Sequence, residues 1–195
     1  MAVNSVHTIS AGKPKATGGI LHAPVGTALP TDITTAPNAS FIKLGKVGED
    51  GVQPGGERSM EEKKDWAGDV IANLQSGHSV SFSFTLLSVF DPAVLKVAFG
   101  DSNVTVTAAT ATSGTKITVA ETGSELPYGA WIFEMIGTAS KTQRIVVPNA
   151  QVGTVEESPY VSGDLQGFSV TLNCYPDESG VKVYRYYDDG KFSTT

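Results

Sequence analysis

The sequence contains little charge, a single cysteine and no long hydrophobic run. Asp, Glu, Lys and Arg make up 17% of its 195 residues, below the ~25% of an average soluble domain. A lone Cys174 excludes an intrachain disulfide. The net charge of −6 argues against a nucleic-acid-binding protein, which normally presents a basic surface. No apolar run approaches the ~20 residues of a membrane span, and the start MAVNSVHTIS lacks the features of a signal peptide. We therefore expect a protein that is made in a cytoplasm and does not contact a membrane.

No group of residues has the spacing of a catalytic, metal or cofactor site. His7, His22 and His78 are far apart in the sequence, and none stands at ligand spacing from another His, Cys or carboxylate. The glycine-rich stretch 51–56 lacks the Lys-Ser/Thr ending of a phosphate-binding loop. Cys174 falls on the apolar side of an alternating run, which predicts a buried small hydrophobe rather than a nucleophile. We predict no catalytic residue, no metal and no cofactor, and an enzyme is the least favoured class.

The most regular pattern in the chain is an alternation of small polar and large apolar side chains from Ser79 to Leu86. Because a strand has a period of two, this pattern predicts a strand with one buried face and one wet face. The apolar face carries Val80, Phe82, Phe84 and Leu86. The preceding run 69–75 alternates more weakly, and the glycine of Ser76-Gly77-His78 allows a turn between the two runs. The two runs together predict a hairpin with a polar front made of Asp69, Asn73, Gln75, Ser79, Ser81, Ser83 and Thr85.

A short helix is predicted directly after this hairpin. Asp91 is a preferred N-cap, and Pro92 suits the first helical position because its missing N–H would be unpaired there. Gly100 is a natural stop. One apolar stripe between these residues would face the core, and it consists of Val94, Leu95, Ala98 and Phe99.

The rest of the chain reads as β-strands separated by turns. The patterns predict further strands at 20–25, 41–47, 104–106, 117–119, 129–138, 143–147, 168–174 and 181–187, with an irregular segment over 148–163. Residues 129–138 are apolar on both faces, so we expect this strand to be covered on both sides. We predict an all-β domain over 19–195, either a β-sandwich or a small barrel, with one short helix packed against it. Residues 1–18 form an arm, either a disordered tail or a segment that docks on a neighbour.

Residues 48–66 form the most polar stretch, GEDGVQPGGERSMEEKKDW. Its glycines and charges predict a long loop between two strands, and a loop of this length inside a compact domain is usually functional or disordered. An exposed tryptophan is costly unless it packs on a partner, and Trp66 stands near the end of this loop. We therefore favour a contact loop over a mobile solvated one. Its candidate contact residues are Glu49, Asp50, Glu57, Arg58, Met60 and Trp66.

Several segments in this order resemble the major tail protein, the tail tube subunit, of bacteriophages with long non-contractile tails. They are GILHAPVGTALPTD at 19–32, FIKLGKVGEDGV at 41–52, and WAGDV at 66–70 followed by SFSFTLL at 81–87 and the Asp-Pro helix start. The segments are similar to those of phages that infect actinobacteria, and the resemblance covers residues 19–100.

The resemblance implies a structural, non-enzymatic virion protein with the tail tube fold, which is shared with the inner tube of type VI secretion systems. Such subunits form hexameric rings, and the rings stack into a tube. Hairpins of each ring close a β-barrel around the lumen, so the polar hairpin face would line the lumen and the 48–66 loop would grip the next ring. The implied partners are other copies of the chain, a tape-measure protein, a tail terminator and tail-tip proteins, with assembly in the host cytoplasm. Genomic DNA would pass through the lumen without specific binding.

One alternative of another class stays open at this point. A monomeric β-sandwich binding or decoration module of a virion or cell surface would show the same strands. It would not need the 48–66 loop or the N-terminal arm.

Overall fold

The computed structural model describes residues 9–15 and 18–191 of the chain. They form a mainly β fold with one short helix, as predicted. The strands are β1 Lys13–Pro14, β2 Ile20–Pro24, β3 Ile42–Lys43, β4 Val47–Gly55, β5 Arg58–Lys64, β6 Val70–His78, β7 Ser81–Leu86, β8 Val104–Thr107, β9 Lys116–Val119, β10 Gly129–Ile136, β11 Thr142–Glu157, β12 Phe168–Tyr175 and β13 Tyr184–Asp188. Helix α1 spans Pro92–Phe99, and a single 3-10 turn follows at Asp101–Asn103.

A nine-stranded antiparallel sheet forms the body, in the order β3-β2-β10-β11-β12-β7-β4 with β1 beside β10 and β13 beside β11. The outermost strands β3 and β4 follow each other in sequence, and the segment between them contacts both edges. Leu44 N–H donates to the carbonyl of Ile20 (3.1 Å), and Leu87 N–H donates to the carbonyl of Lys46 (2.9 Å). The sheet therefore curls until its edges meet, as in a small barrel, which is one of the two architectures that the sequence predicts.

The barrel interior is an aromatic core shared by β7 and β10. The ring centroids of Phe82 and Phe133 lie 4.9 Å apart, and those of Phe84 and Trp131 lie 5.8 Å apart. Strands β11 and β12 separate β7 from β10 along the sheet, so these rings meet only because the sheet curls. The alternation of β7 is confirmed, because Phe82, Phe84 and Leu86 are buried while the polar residues between them are partly exposed.

Helix α1 packs on this core and confirms the prediction from its caps. The Asp91 side chain accepts a hydrogen bond from Ala93 N–H (2.9 Å), and Pro92 opens the helix. Gly100 ends it with a φ of 94°, a conformation that only glycine adopts without strain. The buried stripe consists of Val94, Leu95, Val97 and Ala98; Val97 is buried in place of the predicted Phe99, which is partly exposed.

A loop that spans residues 25–41 covers the outer face of β2, β10 and β11. Phe41 is buried there in a second cluster with residues of these strands. The buried Arg144 ties this loop to the sheet. Its guanidinium pairs with the carboxylate of Glu134 (2.5 Å) and donates to the carbonyls of Asp32 (2.8 Å) and Thr35 (2.6 Å). Strand β10 is therefore covered on both faces over most of its length, as its sequence predicts.

Three strand boundaries differ from the predictions for physical reasons. Strand β11 continues to Glu157, so the prediction of an irregular segment from Pro148 is wrong. Pro148 lies at a register shift in the β10–β11 ladder, where its missing N–H costs no regular hydrogen bond. The strand predicted over 41–47 is reduced to β3, because Gly45 breaks it with a φ of 74°. The last strand begins at Tyr184 rather than 181, because the Asp177 carboxylate accepts a hydrogen bond from Val181 N–H (2.9 Å) and holds Val181 in a turn.

Part of the predicted N-terminal arm can be described. Residues 1–8 and 16–17 lie outside the described residues. Strand β1 pairs with the end of β10, and Lys141 Nζ donates to the carbonyl of Ile9 (2.7 Å). Residues 9–15 therefore lie against the sheet of their own chain. The boundary between arm and domain stays a prediction.

Candidate assembly surfaces

The most prominent surface feature is a two-stranded hairpin formed by β5 and β6. The strands are antiparallel, with Arg58 opposite His78 at the base and Lys64 opposite Val70 near the tip. At the tip, Asp65 N–H donates to the carbonyl of Asp69 (2.9 Å), and Asp69 N–H donates to the Asp65 carboxylate (2.9 Å). We call residues 58–78 the free hairpin.

The free hairpin corrects the prediction that 69–75 pairs with 79–86 across a turn at Ser76–His78. The chain reverses instead between Asp65 and Asp69, where Gly68 takes a φ of 93°. Gly77 lies inside the β5–β6 ladder opposite Ser59. Residues 65–69 contain Asp and Gly, which favour tight turns, but the charged residues around them indicate a loop rather than a pair of strands.

The stretch 48–66 is likewise not a loop, because β4 and β5 occupy most of it. Strand β4 pairs with β7 in the barrel wall, and Ser79 N–H donates to the carbonyl of Glu57 (2.9 Å) between the two ladders. Residues 47–64 and 70–86 thus form one long hairpin with its base in the barrel and its outer half outside. The outer half is exposed on both faces, so β5 shows none of the alternation by which a strand is recognised, and β6 shows only the weak alternation of 69–75.

The free hairpin exposes several large apolar side chains. Trp66 at its tip is fully exposed. Four other large apolar residues of the free hairpin are at least half exposed, namely Met60, Val70, Ile71 and Leu74. An isolated hairpin is marginally stable at best in water, and contiguous exposed apolar surface marks an interaction site. The free hairpin is therefore a candidate contact element.

A second surface is the polar face of the barrel wall. The hydroxyls of Ser83 and Thr171 are 3.2 Å apart, and those of Thr85 and Ser169 are 3.0 Å apart. Ser81 continues the same face. A shallow hollow of about 250 Å³ lies on this face, and its polar lining side chains are Asp50, Gln53, Ser83, Thr85, Thr154, Glu156, Ser169 and Thr171. None of these side chains is cationic, so the face is hydroxyl-rich with two carboxylates.

The structure separates the residues that the sequence placed on one polar front. Asp69, Asn73 and Gln75 lie at the tip and along β6 of the free hairpin, outside the barrel wall. The prediction that they share a face with the residues of β7 is therefore wrong, because β6 pairs with β5 and not with β7. Ser81, Ser83 and Thr85 do share a face of β7. Ser79 lies at the junction, where its hydroxyl accepts Glu57 N–H (3.0 Å).

The candidate contact residues also divide between two places. Glu49 and Asp50 belong to β4 in the barrel wall, and Glu57 lies between β4 and β5. The other three lie on the free hairpin. Arg58 donates to the Gln75 amide across the ladder (3.1 Å), while Met60 and Trp66 are exposed.

A third surface was not predicted, because it lies in the segment read as irregular. The loop 158–167 and the residues before α1 expose several apolar side chains, of which Phe90 and Tyr160 line a cavity of about 150 Å³. Phe90 is 85% exposed, Tyr160 73% and Leu165 69%. The Tyr160 hydroxyl donates to the Glu157 carboxylate (2.6 Å), and this bond raises the pKa of Tyr160. The sign of this surface in the sequence is that aromatic and aliphatic residues occur within a polar segment.

A larger, mainly apolar hollow of about 370 Å³ is lined by His22, Trp131 and residues of α1. The rings of His22 and Trp131 lie 4.7 Å apart, and burial lowers the pKa of His22 to about 4.

Cys174 is buried as predicted, and burial raises its pKa to about 12. Across residues 9–15 and 18–191, no cluster of His, Cys, Asp and Glu has the arrangement of a metal site. None of the helices in that part of the chain has the length and hydrophobicity to cross a membrane.

A family model described as phage tail tube protein matches residues 1–193. Three solved structures are similar to this chain, each at 10% identity. The match to the tube-terminating cap of the anti-feeding prophage has a TM-score of 0.47 and covers 96% of this chain and 100% of that chain. Two further matches are to the extracellular contractile injection system PVC in its extended state: the sheath-tube complex has a TM-score of 0.40 with 95% of this chain and 98% of that chain covered, and the sheath/tube terminator has a TM-score of 0.36 with 88% and 96% covered. No curated protein matches the chain by sequence.

Proposed function

The chain belongs to the phage tail tube protein family, and we propose that it is the major tail protein of a phage with a long non-contractile tail. In this role it is a structural protein, and it needs no catalytic residue. Copies assemble in the host cytoplasm into hexameric rings, and the rings stack into the tube through which the genome leaves the virion. The motifs at 19–32 and 41–52 favour a phage of actinobacteria.

The observation that carries this proposal is the free hairpin. Its strands are exposed along both faces over most of their length, and the hairpin is tied to the rest of its chain at its base, where Lys182 Nζ donates to the carbonyl of His78. In a tube of identical subunits, a neighbouring copy can cover the free hairpin of every subunit. We assign the free hairpin to the contact between successive rings, with Arg58, Met60 and Trp66 in direct contact. Glu49, Asp50 and Glu57 lie nearer the barrel wall and would act at the base of this contact.

The polar face of the barrel wall suits a lumen. A wall of hydroxyls binds water, and its carboxylates repel phosphate. DNA carries about one negative charge per ~1.7 Å of its axis, and each lysine or arginine that neutralises a phosphate adds affinity. Ser83 and Thr85 line the hollow on this face, whose lining contains no cation, and Ser81 precedes them on the same side of β7. We propose that Ser81, Ser83 and Thr85 line the lumen, whereas Asp69, Asn73 and Gln75 lie on the free hairpin and belong to the ring contact.

The ends of such a tube need other proteins. Each terminal ring presents either free hairpins or unoccupied acceptor surfaces, since the contact between rings is directional. We propose that the partners of the tube are a tape-measure protein that sets the length, a terminator and tail-tip proteins.

Removal of the free hairpin tests the proposal. Glu57 and Ser79 are hydrogen-bonded neighbours across the ladder, so residues 58–78 can be replaced by an Asn-Gly turn that closes the shortened hairpin. We expect this variant to be folded by circular dichroism and to form no tubes in negative-stain images. The control keeps the hairpin and changes only Thr112→Ala in the exposed loop between β8 and β9. Tubes of normal length from the deletion variant would refute the role of the hairpin.

A further inference from the structure

The loop 25–41 is tied to the rest of the chain by the side chain of Arg144. Between residues 25 and 40, only Pro30 is buried. Most hydrogen bonds of the loop join residues no more than three positions apart in the sequence. Within the described residues, those that reach it from farther away come from Arg144, whose Nη1 donates to the carbonyls of Asp32 (2.8 Å) and Thr35 (2.6 Å). Arg144 therefore holds the loop on the barrel.

Glu134 fixes the position of the Arg144 side chain. Both Nε and Nη2 of Arg144 donate to the same carboxylate oxygen of Glu134, Oε1, at 3.1 and 2.5 Å. Only 5% of the Arg144 side chain and 11% of the Glu134 side chain are exposed. Because little water reaches this pair, the carboxylate decides where the guanidinium points. It thereby decides whether Nη1 reaches the carbonyls of the loop.

Glu134 also receives the N-terminal residues 9–15. Its second carboxylate oxygen, Oε2, lies 3.6 Å from Lys15 Nζ, and its carbonyl accepts a hydrogen bond from Lys15 N–H (3.1 Å). The rest of this contact is slight. Both residues of β1 are exposed where they pair with the end of β10, and Lys141 Nζ donates to the carbonyl of Ile9. Glu134 is thus the residue at which the N-terminal segment and the support of the loop meet.

We infer that residues 9–15 and the loop 25–41 are coupled through Glu134 and Arg144, so that release of the first loosens the second. While residues 9–15 lie on β10, Lys15 engages Oε2 and shields the carboxylate, and Oε1 stays directed at Arg144. When these residues leave, water reaches Glu134 and competes for both oxygens. An ion pair that water reaches is weaker than a shielded one, so the hold of Arg144 on the loop carbonyls weakens.

The coupling decides whether an apolar face of the sheet stays covered. The cluster of buried apolar residues at this face consists of Leu21, Ala23, Phe41, Ala130, Ile132 and Val146. Opening of the loop lets water reach this cluster, and contiguous exposed apolar surface marks an interaction site. Residues 9–15 are not part of the cluster, so they act on it only through the link. The inference goes beyond the proposed function, because it concerns a single subunit before assembly.

Hydrogen–deuterium exchange of dilute, unassembled protein, read by mass spectrometry of peptides from the loop, tests the coupling. Lys15→Ala removes the cation beside Oε2 and leaves every backbone group in place. We expect the loop amides to exchange roughly two- to five-fold faster, which is the factor that corresponds to a half-exposed ion pair. Lys13→Ala is the matched control. Lys13 is an exposed lysine of the same segment without an ion pair in the described residues, so its loss should leave loop exchange unchanged.

A second background shows whether the effect passes through Glu134. Glu134→Gln keeps the size of the side chain and an oxygen for Arg144, but it carries no charge to attract Lys15. In this background, Lys15→Ala should leave loop exchange unchanged.

Three results would overturn the inference. They are a Lys15→Ala protein whose loop exchanges like that of wild type, an equal effect of Lys13→Ala, and an effect of Lys15→Ala that persists in full in the Glu134→Gln background. The two lysine variants alter exposed positions, so they decide the matter even where Glu134→Gln does not fold. The measurement requires no tubes, so its outcome is separate from that of the proposed function.

Discussion

Replacement of Phe82 by alanine is the sharpest test of which way the barrel wall faces. Phe82 is fully buried, packs 4.9 Å from the ring of Phe133, and pairs across the ladder with the buried Leu172. Loss of a buried phenylalanine costs about 3–5 kcal/mol, and the aromatic contact, worth ~0.5–1.5 kcal/mol beyond its area, favours the upper half of that range. Such a loss is a large part of the ~5–15 kcal/mol that stabilises a typical domain.

The neighbouring Ser81→Ala change is the matched control. Ser81 is partly exposed on the opposite face and pairs with the exposed Asn173. Surface substitutions of this kind change stability by less than about 0.5 kcal/mol. The two variants differ by one position in the strand, so a difference in stability between them reports the facing of β7.

Urea unfolding of dilute, unassembled protein measures both free energies by linear extrapolation. Trp131 is buried in the core, whereas Trp66 is exposed at the hairpin tip. A Trp66→Phe background therefore assigns the fluorescence change to the barrel. We expect a lower midpoint with an unchanged slope for Phe82→Ala and no shift for Ser81→Ala. Equal costs for the two changes would refute the assignment of the core and polar faces.

Further predictions concern pH, the buried ion pair and the lumen. His22 has a pKa of about 4 in the fold and 6.5 as a free side chain, so on acidification the unfolded state protonates at His22 before the folded state does. The free energy of unfolding should therefore fall by roughly 3 kcal/mol as the pH drops from 6.5 to 4. Thermal unfolding measured against pH should show a flatter profile for His22→Phe. Arg144→Met should cost about 3–5 kcal/mol in urea unfolding, since it leaves the largely buried carboxylate of Glu134 without its close partner. Ser81→Lys with Ser83→Lys should slow DNA ejection at low salt and recover at high salt, whereas the same two changes to glutamine should not.

The elements that could be predicted from the sequence are those with local causes. The cap at Asp91, the proline after it and the glycine at 100 lie within one short segment, and α1 begins and ends as they indicate. The facing of β7 also follows from its own alternation. The partner of β7 does not, because alternation specifies which side is buried and not which strand lies beside it.

The features that escaped prediction depend on contacts between distant segments. Arg144 is buried only because Glu134 and two loop carbonyls surround it, and no local pattern brings the loop 25–41 to that point. The polar face draws its side chains from β4, β7, β11 and β12, which a single-strand pattern cannot assemble. The pairing of β5 with β6 was missed for another reason: both faces of the free hairpin are exposed in one copy, so β5 lacks the apolar period that burial imposes and β6 shows it only weakly.

The energetics of the free hairpin explain why such a chain would assemble cooperatively. Burial of a large apolar side chain contributes about 1.5–3 kcal/mol, so Trp66 and the few apolar residues near it offer a gross gain of the same order as the ~4–15 kcal/mol cost of bringing two proteins together. One hairpin contact between two isolated copies is then close to neutral. In the proposed ring, six copies are already held together, and the association cost is met once for six contacts. Single contacts that are weak alone thus become strong between rings, and a subunit with exposed hairpins stays soluble until a ring is available to receive them.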